Sequence, residues 1–278
     1  MRHALVLLFT VILAACGGGS APTPAAPEAK AAPAKLIRLG ATAGCFADQI
    51  RWGIKPLLEK QGYKVELTEF TDYIQPNIAL AEGSLDANTF QHVVYLEKFA
   101  ADRKLAIQPL TQVPTAPLGL YSHKHASLDE LKEGARVALP NDPTNQARAL
   151  VMLGKLGWIK LKADIDPIRA SEQDVAENTR KIVLLPLEAA QLPRSLDDVD
   201  FSFVNGNFAI SSGLKLTEAL KLEDLADRYI NVVAIRTADA EAPWVKDLQA
   251  AYNSPEFKAL VAEKFQGFVL PLAWRSAP

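Results

Sequence analysis

The sequence predicts an α/β fold built on parallel sheets, and three observations indicate it. First, "KLIRLGA" at 35–41 alternates apolar and polar residues as a strand does, and a helical pattern and a second strand follow. Second, strand, helix and strand within this length form a βαβ unit, whose strands are parallel. Third, the pattern recurs farther along the chain. With 278 residues, 49% of them hydrophobic, the chain can form one large or two smaller domains.

The N-terminal region has the pattern of a targeting signal followed by a tether. "MRHALVLLFTVILAAC" has a basic start, an apolar run and small residues, and it is too short for a membrane span. "LAAC", ending at Cys16, resembles a bacterial lipobox, in which the cysteine is diacylated and becomes the mature first residue. A simple signal peptide with a chance cysteine is the alternative. We predict a signal peptide over 1–15, then lipidated Cys16 and a flexible Gly/Pro/Ala-rich tether over 16–35.

The next segments alternate between helix and strand. "DQIRWGIKPLLEKQG" at 48–62 has apolar residues at helical spacing, although Pro56 argues against one straight helix, and the strand "YKVELTEF" follows. Ser127 and Glu130 predict a capped helix before the strand "ARVALP". The remaining predictions are a helix over "NQARALVMLGKLG", strands over "KIVLLPL", "FSFVNG" and "INVVAIR", and two closing helices broken at Pro255.

Charge and composition argue against several classes of protein. The net charge is −2, so no basic excess indicates a nucleic-acid partner. His123 and His125 form an H-x-H pair without an evident third metal ligand, and neither G-x-S-x-G nor a P-loop is present. We therefore predict that the protein is not an enzyme and needs no metal or cofactor. Cys45, without a partner once Cys16 is lipidated, is predicted to be a buried free thiol.

Two loops follow predicted strands at the edge where parallel sheets bind ligands. "LPNDPTNQAR" places polar residues, including Asp142 and Asn145, at a helix N-terminus, which favours anions. Arg148 lies in or near the first turn of this helix. It could bind a ligand carboxylate or form a local salt bridge at the surface, and the spacing favours neither role. "NGN", from Asn205 to Asn207, fits a plain turn as well as a ligand loop.

A short aromatic stretch raises a further choice. Tyr73, Phe90, His92 and Tyr95 lie close together in sequence and combine ring faces with polar tips. They form either a core that contains one hydrogen-bonded histidine or a pocket with an apolar interior and polar groups.

Several long stretches of the sequence resemble a known family, and this resemblance favours the pocket over the core. They are "EFTDYIQPNIALAEGSLDANTFQH", "PLGLYSHKHASLDELKEGARVALPNDPTN", "LEAAQLPRSLDDVDFSFVNGN" and "INVVAIR". In these, the chain resembles the NlpA-type methionine-binding lipoproteins, the substrate-binding components of bacterial ABC importers. The resemblance implies an α/β, two-lobed periplasmic-binding-protein fold, with a ligand cleft between lobes joined by a hinge. It places lobe 1 at 36–115 plus 233–278 and lobe 2 at 116–232.

The resemblance also implies roles for individual residues. The methionine side chain would lie against Tyr73, Phe90, His92 and Tyr95. Arg148 would bind the ligand carboxylate, and Asn205 and Asn231 would bind its amino-acid backbone. The implied partners are L-methionine, an ABC permease with its ATPase, and the membrane, through the lipid anchor. A monomer in the cell envelope, on the periplasmic or extracellular side, is expected.

One loop departs from the family pattern. Ala43, Cys45 and Phe46 stand where Pro, Pro and His are more typical of the family. Because this loop faces the cleft in this type of fold, D-methionine, a methionine derivative or a small methionine peptide stay open as ligands. An adhesin role for a surface lipoprotein is a further alternative.

Overall fold

The computed structural model describes residues 35–275, which contain two five-stranded sheets with helices packed around them. The predicted signal peptide, Cys16 and the tether up to residue 34 lie outside the described residues. The strands are β1 (Lys35–Thr42), β2 (Tyr63–Phe70), β3 (Ala87–His92), β4 (Ile107–Gln112), β5 (Gly119–Tyr121), β6 (Arg136–Pro140), β7 (Lys160–Leu161), β8 (Val175–Glu177), β9 (Val183–Leu187), β10 (Phe201–Val204), β11 (Lys221–Leu222) and β12 (Asn231–Arg236). The α-helices are α1 (Cys45–Gln49), α2 (Lys55–Lys60), α3 (Gln75–Ala81), α4 (Val93–Arg103), α5 (Pro143–Lys155), α6 (Leu192–Ser195), α7 (Gly206–Ser211), α8 (Pro243–Asn253), α9 (Pro255–Lys264) and α10 (Leu272–Arg275).

The first sheet has the strand order β2-β1-β3-β12-β4. β1 is parallel to β2 and β3, as the βαβ pattern predicts. The predicted parallel pairing does not extend to β12, which runs antiparallel to β3 and β4. The chain returns from the other sheet to the edge at which β3 and β4 end, so β12 must run in the opposite direction.

The second sheet has the order β11-β5-β10-β6-β9. β6 is parallel to β9 and β10, whereas β5 is antiparallel to β10 and β11. Each sheet has its own apolar core. The largest cluster of the first sheet joins its strands to α1, α2, α8 and α9, and that of the second joins its strands to α5.

Two predicted helices differ from the structure in detail. The segment over 45–60 is continuous, but a π-helical turn, Ile50–Ile54, separates α1 from α2 just before Pro56. Proline has no N–H for the helical bond, and a π-turn is one way to accommodate the disturbance. The helix predicted after Ser127 is only a 3₁₀ turn, Leu128–Glu130, because the backbone leaves the helical region at Leu131 (φ −59°, ψ 123°). Cys45 is a buried free thiol, as predicted.

The chain passes between the two sheets twice in the described part, at 113–118 and at 223–230. These two crossings bond to each other through the Glu223 N–H, which donates to the Leu118 carbonyl (2.8 Å). Asn231, the first residue of β12, also bonds to the first crossing: its carbonyl accepts from the Val113 N–H (2.8 Å), and its N–H donates to Thr115 Oγ1 (2.8 Å). The two connections between the sheets are therefore hydrogen-bonded to each other. The boundaries of the two lobes stay a prediction. The boundary predicted between residues 232 and 233 falls inside β12. None of the helices described over 35–275 combines the length and the hydropathy of a membrane span.

Candidate functional site

A small cavity of about 20 Å³ lies between the two sheets, at their facing edges. That volume is enough for about one water molecule. All seven predicted ligand-binding residues line it: Tyr73, Phe90, His92, Tyr95, Arg148, Asn205 and Asn231. The other lining residues are Phe46, Gln91, Ala116, Asn145, Gly206 and Asn207. The structure therefore brings together residues that lie up to 185 positions apart in sequence.

Asn145 is the centre of the hydrogen-bond network at one end of the cavity. Its Nδ2 donates to both oxygens of Asp142, the N-cap of α5, at 3.0 and 2.9 Å. This contact fixes the amide orientation and turns Oδ1 toward the cavity. Oδ1 then accepts from Arg148 Nη1 (2.7 Å), Asn205 Nδ2 (3.1 Å) and His92 Nε2 (3.3 Å). One side chain thus connects β3, α5 and the loop after β10.

Arg148 projects from α5 and is buried, so it is not the surface residue that one reading of the sequence allowed. Glu223 accepts from it in a bidentate pair, with Nε–Oε1 at 3.0 Å and Nη2–Oε2 at 2.5 Å. The guanidinium also lies over the Tyr229 ring, 5.1 Å from its centroid. Burial by itself would lower the pKa of Arg148, but the charge of Glu223 and its hydrogen bonds raise it above the usual value. The arginine is therefore charged at all physiological pH values.

His92 is a neutral imidazole in a fixed tautomer. Its Nδ1 accepts from the Tyr95 N–H (3.1 Å) at the start of α4, so the ring proton is on Nε2 and faces Asn145. Burial, followed by the positive charge of Arg148, holds the pKa of His92 well below its ordinary value. The ring can therefore donate one hydrogen bond without adding charge to the cavity.

The opposite end of the cavity is aromatic. The ring centroids of Tyr73 and Phe90 are 5.7 Å apart in a stacked arrangement, and Tyr95 meets both rings edge-on at 6.0 and 6.1 Å. The hydroxyl groups are used within the protein, since Tyr73 Oη donates to Asn207 Oδ1 (2.6 Å) and Tyr95 Oη donates to the Tyr73 carbonyl (3.0 Å). The rings thus offer mainly apolar surface, which suits an aliphatic or thioether chain.

Two asparagines complete the polar end in different ways. Asn231 Nδ2 donates to the Phe90 carbonyl at 2.8 Å, which ties β12 to β3. Asn205 Oδ1 is buried, and no hydrogen-bond partner for it is found among the described residues. A buried acceptor without a partner costs about 1–3 kcal/mol, so a ligand N–H group at this position would be stabilising.

Some lining residues were not predicted as ligand-binding. Asn145 and Phe46 were noted only as parts of their loops, and Asn207 only as the end of "NGN". Phe46 lies in the loop that departs from the family pattern, and the structure buries it against the cavity. Helix-capping spacing after Asp142 was the one sequence signal for Asn145, whereas nothing near Glu223 in sequence indicated that it pairs with Arg148. Within 35–275, no group of three or more His, Cys, Asp or Glu side chains is placed to hold a metal ion.

Comparisons with known proteins agree with this architecture. The model of the NlpA lipoprotein family matches residues 37–273. The protein named Probable D-methionine-binding lipoprotein MetQ from Vibrio cholerae is 41% identical over 263 residues, which cover 93% of this chain and 92% of that protein. D-methionine-binding lipoprotein MetQ from Escherichia coli K12 is 38% identical, with coverages of 83% and 86%.

Solved structures share the fold. A nutrient-binding protein from Burkholderia cenocepacia, bound to methionine, superposes with a TM-score of 0.80 at 42% identity, and the match covers 84% of this chain and 99% of that one. The predicted α/β binding-protein fold and the predicted family are both confirmed. This chain belongs to the NlpA lipoprotein family.

Proposed function

We propose that this protein is the methionine-capturing component of an ABC importer. The observation that carries the proposal is the two-ended cavity: a buried arginine and a buried asparagine oxygen without a partner among the described residues lie at one end, and an aromatic surface lies at the other. A carboxylate suits Arg148, an α-ammonium suits Asn205 Oδ1, and a thioether suits the rings. The relatives named as methionine-binding, and the methionine bound to the Burkholderia protein, support the same ligand.

Capture works by closure of the two lobes on the ligand. Three side-chain hydrogen bonds connect the facing edges: Tyr73 to Asn207, Asn207 to Thr42, and His92 to Asn145. A ligand that contacts both edges binds the closed form more tightly than the open form and shifts the population toward it. No step of this cycle changes the ligand chemically, so methionine recovered from the protein should be unaltered.

The decisive experiment is calorimetric titration of the detergent-purified lipoprotein, unfolded and refolded to remove carried-over ligand. L-methionine, D-methionine and glycyl-methionine are compared. We expect tight binding of L-methionine. Tight binding of D-methionine or of the dipeptide alone would keep the binding class and change the ligand, and the Phe46 loop would be the first place to examine. Failure of a folded protein to bind any of the three would refute the proposal.

Attachment and delivery complete the proposed function. Diacylated Cys16 would hold a monomeric binding body at the membrane surface, where its closed form meets the permease and the ATPase supplies energy. Mass spectrometry of the N-terminal peptide tests the lipid, and Cys16→Ser should release the protein from membranes. Uptake of labelled methionine by vesicles that contain the permease and ATPase should require the added binding protein.

A further inference from the structure

Glu223 pairs directly with Arg148, does not itself line the cavity, and has no role assigned above. It is the first residue after β11, where the chain leaves the second sheet, and its side chain is only 8% exposed. The Glu223 N–H donates to the Leu118 carbonyl (2.8 Å), and the Leu118 N–H donates to Glu223 Oε2 (3.4 Å). Leu118 ends the first crossing between the sheets, so Glu223 connects Arg148 to both crossings.

The hydrogen bonds of Arg148 use part of its guanidinium and leave the rest, called here the free edge, without a bond to Glu223 or Asn145. Of its five N–H groups, Glu223 takes the one on Nε and one on Nη2, and Asn145 takes one on Nη1. One N–H on each Nη is left unused by these bonds, and Arg148 lines the cavity. A ligand carboxylate bound there would share the guanidinium with Glu223.

Charged residues surround Arg148 at several distances, and a second cavity that it also lines includes Lys155, Asp166, Lys221, Asp224 and Arg228. Glu223 is in direct contact with it, Asp142 lies behind Asn145, and His92 and Tyr229 face it as uncharged rings. Because Glu223 compensates the arginine charge at contact distance, a ligand carboxylate is attracted less strongly than it would be by an isolated guanidinium.

We propose that Glu223 is a positioning residue that holds the free edge of Arg148 toward the cavity and limits how strongly the site prefers a carboxylate over a neutral group. This rests on the proposed function, because it assumes that a carboxylate binds at Arg148. A glutamate with a purely structural role would affect every ligand by the same factor. A glutamate that acts through Arg148 changes the ratio of affinities between ligands that differ only at the carboxylate.

The test compares L-methionine with L-methioninamide, which keeps the ammonium and replaces the carboxylate with a neutral amide. Affinities are measured by calorimetry on the full lipoprotein in detergent at about pH 6, where both amines stay protonated. Glu223→Gln keeps the shape and removes the compensating charge. We expect the preference for methionine over methioninamide to rise about tenfold or more, since the ligand then supplies the only carboxylate on Arg148.

A second variant tests positioning, and a third serves as the control. Glu223→Asp keeps the charge but withdraws the carboxylate, which turns Arg148 away from the cavity, so the preference for methionine should fall. Asp86 accepts a comparable bidentate contact from Arg38 (3.1 and 2.7 Å), and neither residue lines the cavity. Asp86→Asn removes that carboxylate, and the preference for methionine over methioninamide should stay unchanged.

The outcomes separate the two proposals. Wild-type binding of methionine with an unchanged preference in both Glu223 variants would overturn the role of Glu223 alone. A fall in the Gln variant would also overturn it. A folded wild-type protein that binds neither compound would overturn the proposed function, and the role of Glu223 with it.

Discussion

The two ends of the cavity depend on different interactions: hydrogen bonds and charge at the polar end, and ring packing at the aromatic end. At the polar end, named atoms fit one another: three donors converge on Asn145 Oδ1, and Arg148 pairs with a glutamate 75 positions away. At the aromatic end, Tyr73, Phe90 and Tyr95 come from one short stretch and present ring faces whose hydroxyls are already bonded. The polar end should therefore be sensitive to the loss of single atoms, whereas the aromatic end should depend mainly on shape.

Removal of Arg148 should have the largest effect. Arg148→Ala takes away the carboxylate partner and leaves Glu223 buried and unpaired. We expect methionine affinity to fall by ~2–5 kcal/mol and folding stability by ~3–5 kcal/mol. Calorimetry and urea unfolding measure the two losses separately. Arg148→Met combined with Glu223→Gln should regain most of the stability and none of the affinity. Near-wild-type methionine binding by Arg148→Ala would show that the polar end does not hold the carboxylate.

The second-largest effect should be a loss of folding stability at acid pH, caused by His92 at the polar end. The pKa of His92 is lowered first by burial and then by Arg148, so the folded state binds its proton less readily than the unfolded chain does. The contribution of His92 is complete above the unfolded pKa of about 6.5 and is lost as pH falls below that value, at up to ~1.4 kcal/mol per pH unit. Urea unfolding at about pH 7.5 and 5 measures this loss.

His92→Gln is the matched control for the acid effect. It keeps a side chain that can donate a hydrogen bond to Asn145 but cannot take up a proton. The variant should be less stable at neutral pH and lose less stability between the two pH values. An identical loss in the variant and in the wild type would assign the acid effect to other groups.

A smaller effect is expected from Tyr73→Phe, which keeps the ring and removes the hydroxyl that bonds to Asn207 across the cleft. We expect a loss of ~0.5–1.5 kcal/mol in methionine affinity, because one net hydrogen bond favours the closed form. Calorimetry measures it. A loss beyond about 3 kcal/mol would mean that the aromatic end, like the polar end, depends on single atoms.

The smallest effect should come from Tyr121→Phe in β5. The Tyr121 hydroxyl is buried, and no hydrogen-bond partner for it is found among residues 35–275. Its removal should leave methionine affinity unchanged and change the free energy of unfolding by less than ~1 kcal/mol, toward greater stability. Urea unfolding tests this, and a clear destabilisation would reveal a hydrogen bond at this hydroxyl.

The sequence by itself determined most of the elements and the aromatic end. Alternating and helical periodicities predict β1, β2, α5 and β12, because these patterns record which face of each element is buried. Tyr73, Phe90, His92 and Tyr95 lie close together in the chain, so a local pattern is enough to indicate them. The resemblance to a family chose between the two readings that the sequence left open for Arg148 and Asn205, and it added Asn231.

Only the tertiary structure decided the direction of β12 and the partners at the polar end. Strand direction depends on the edge at which the chain returns to the sheet, and no local pattern records that. Glu223 pairs with Arg148 because the second crossing between the sheets passes α5, and the amide orientation of Asn145 is fixed by Asp142. These contacts join residues that are distant in sequence or depend on the orientation of a side chain, so they exist only once the two sheets face each other.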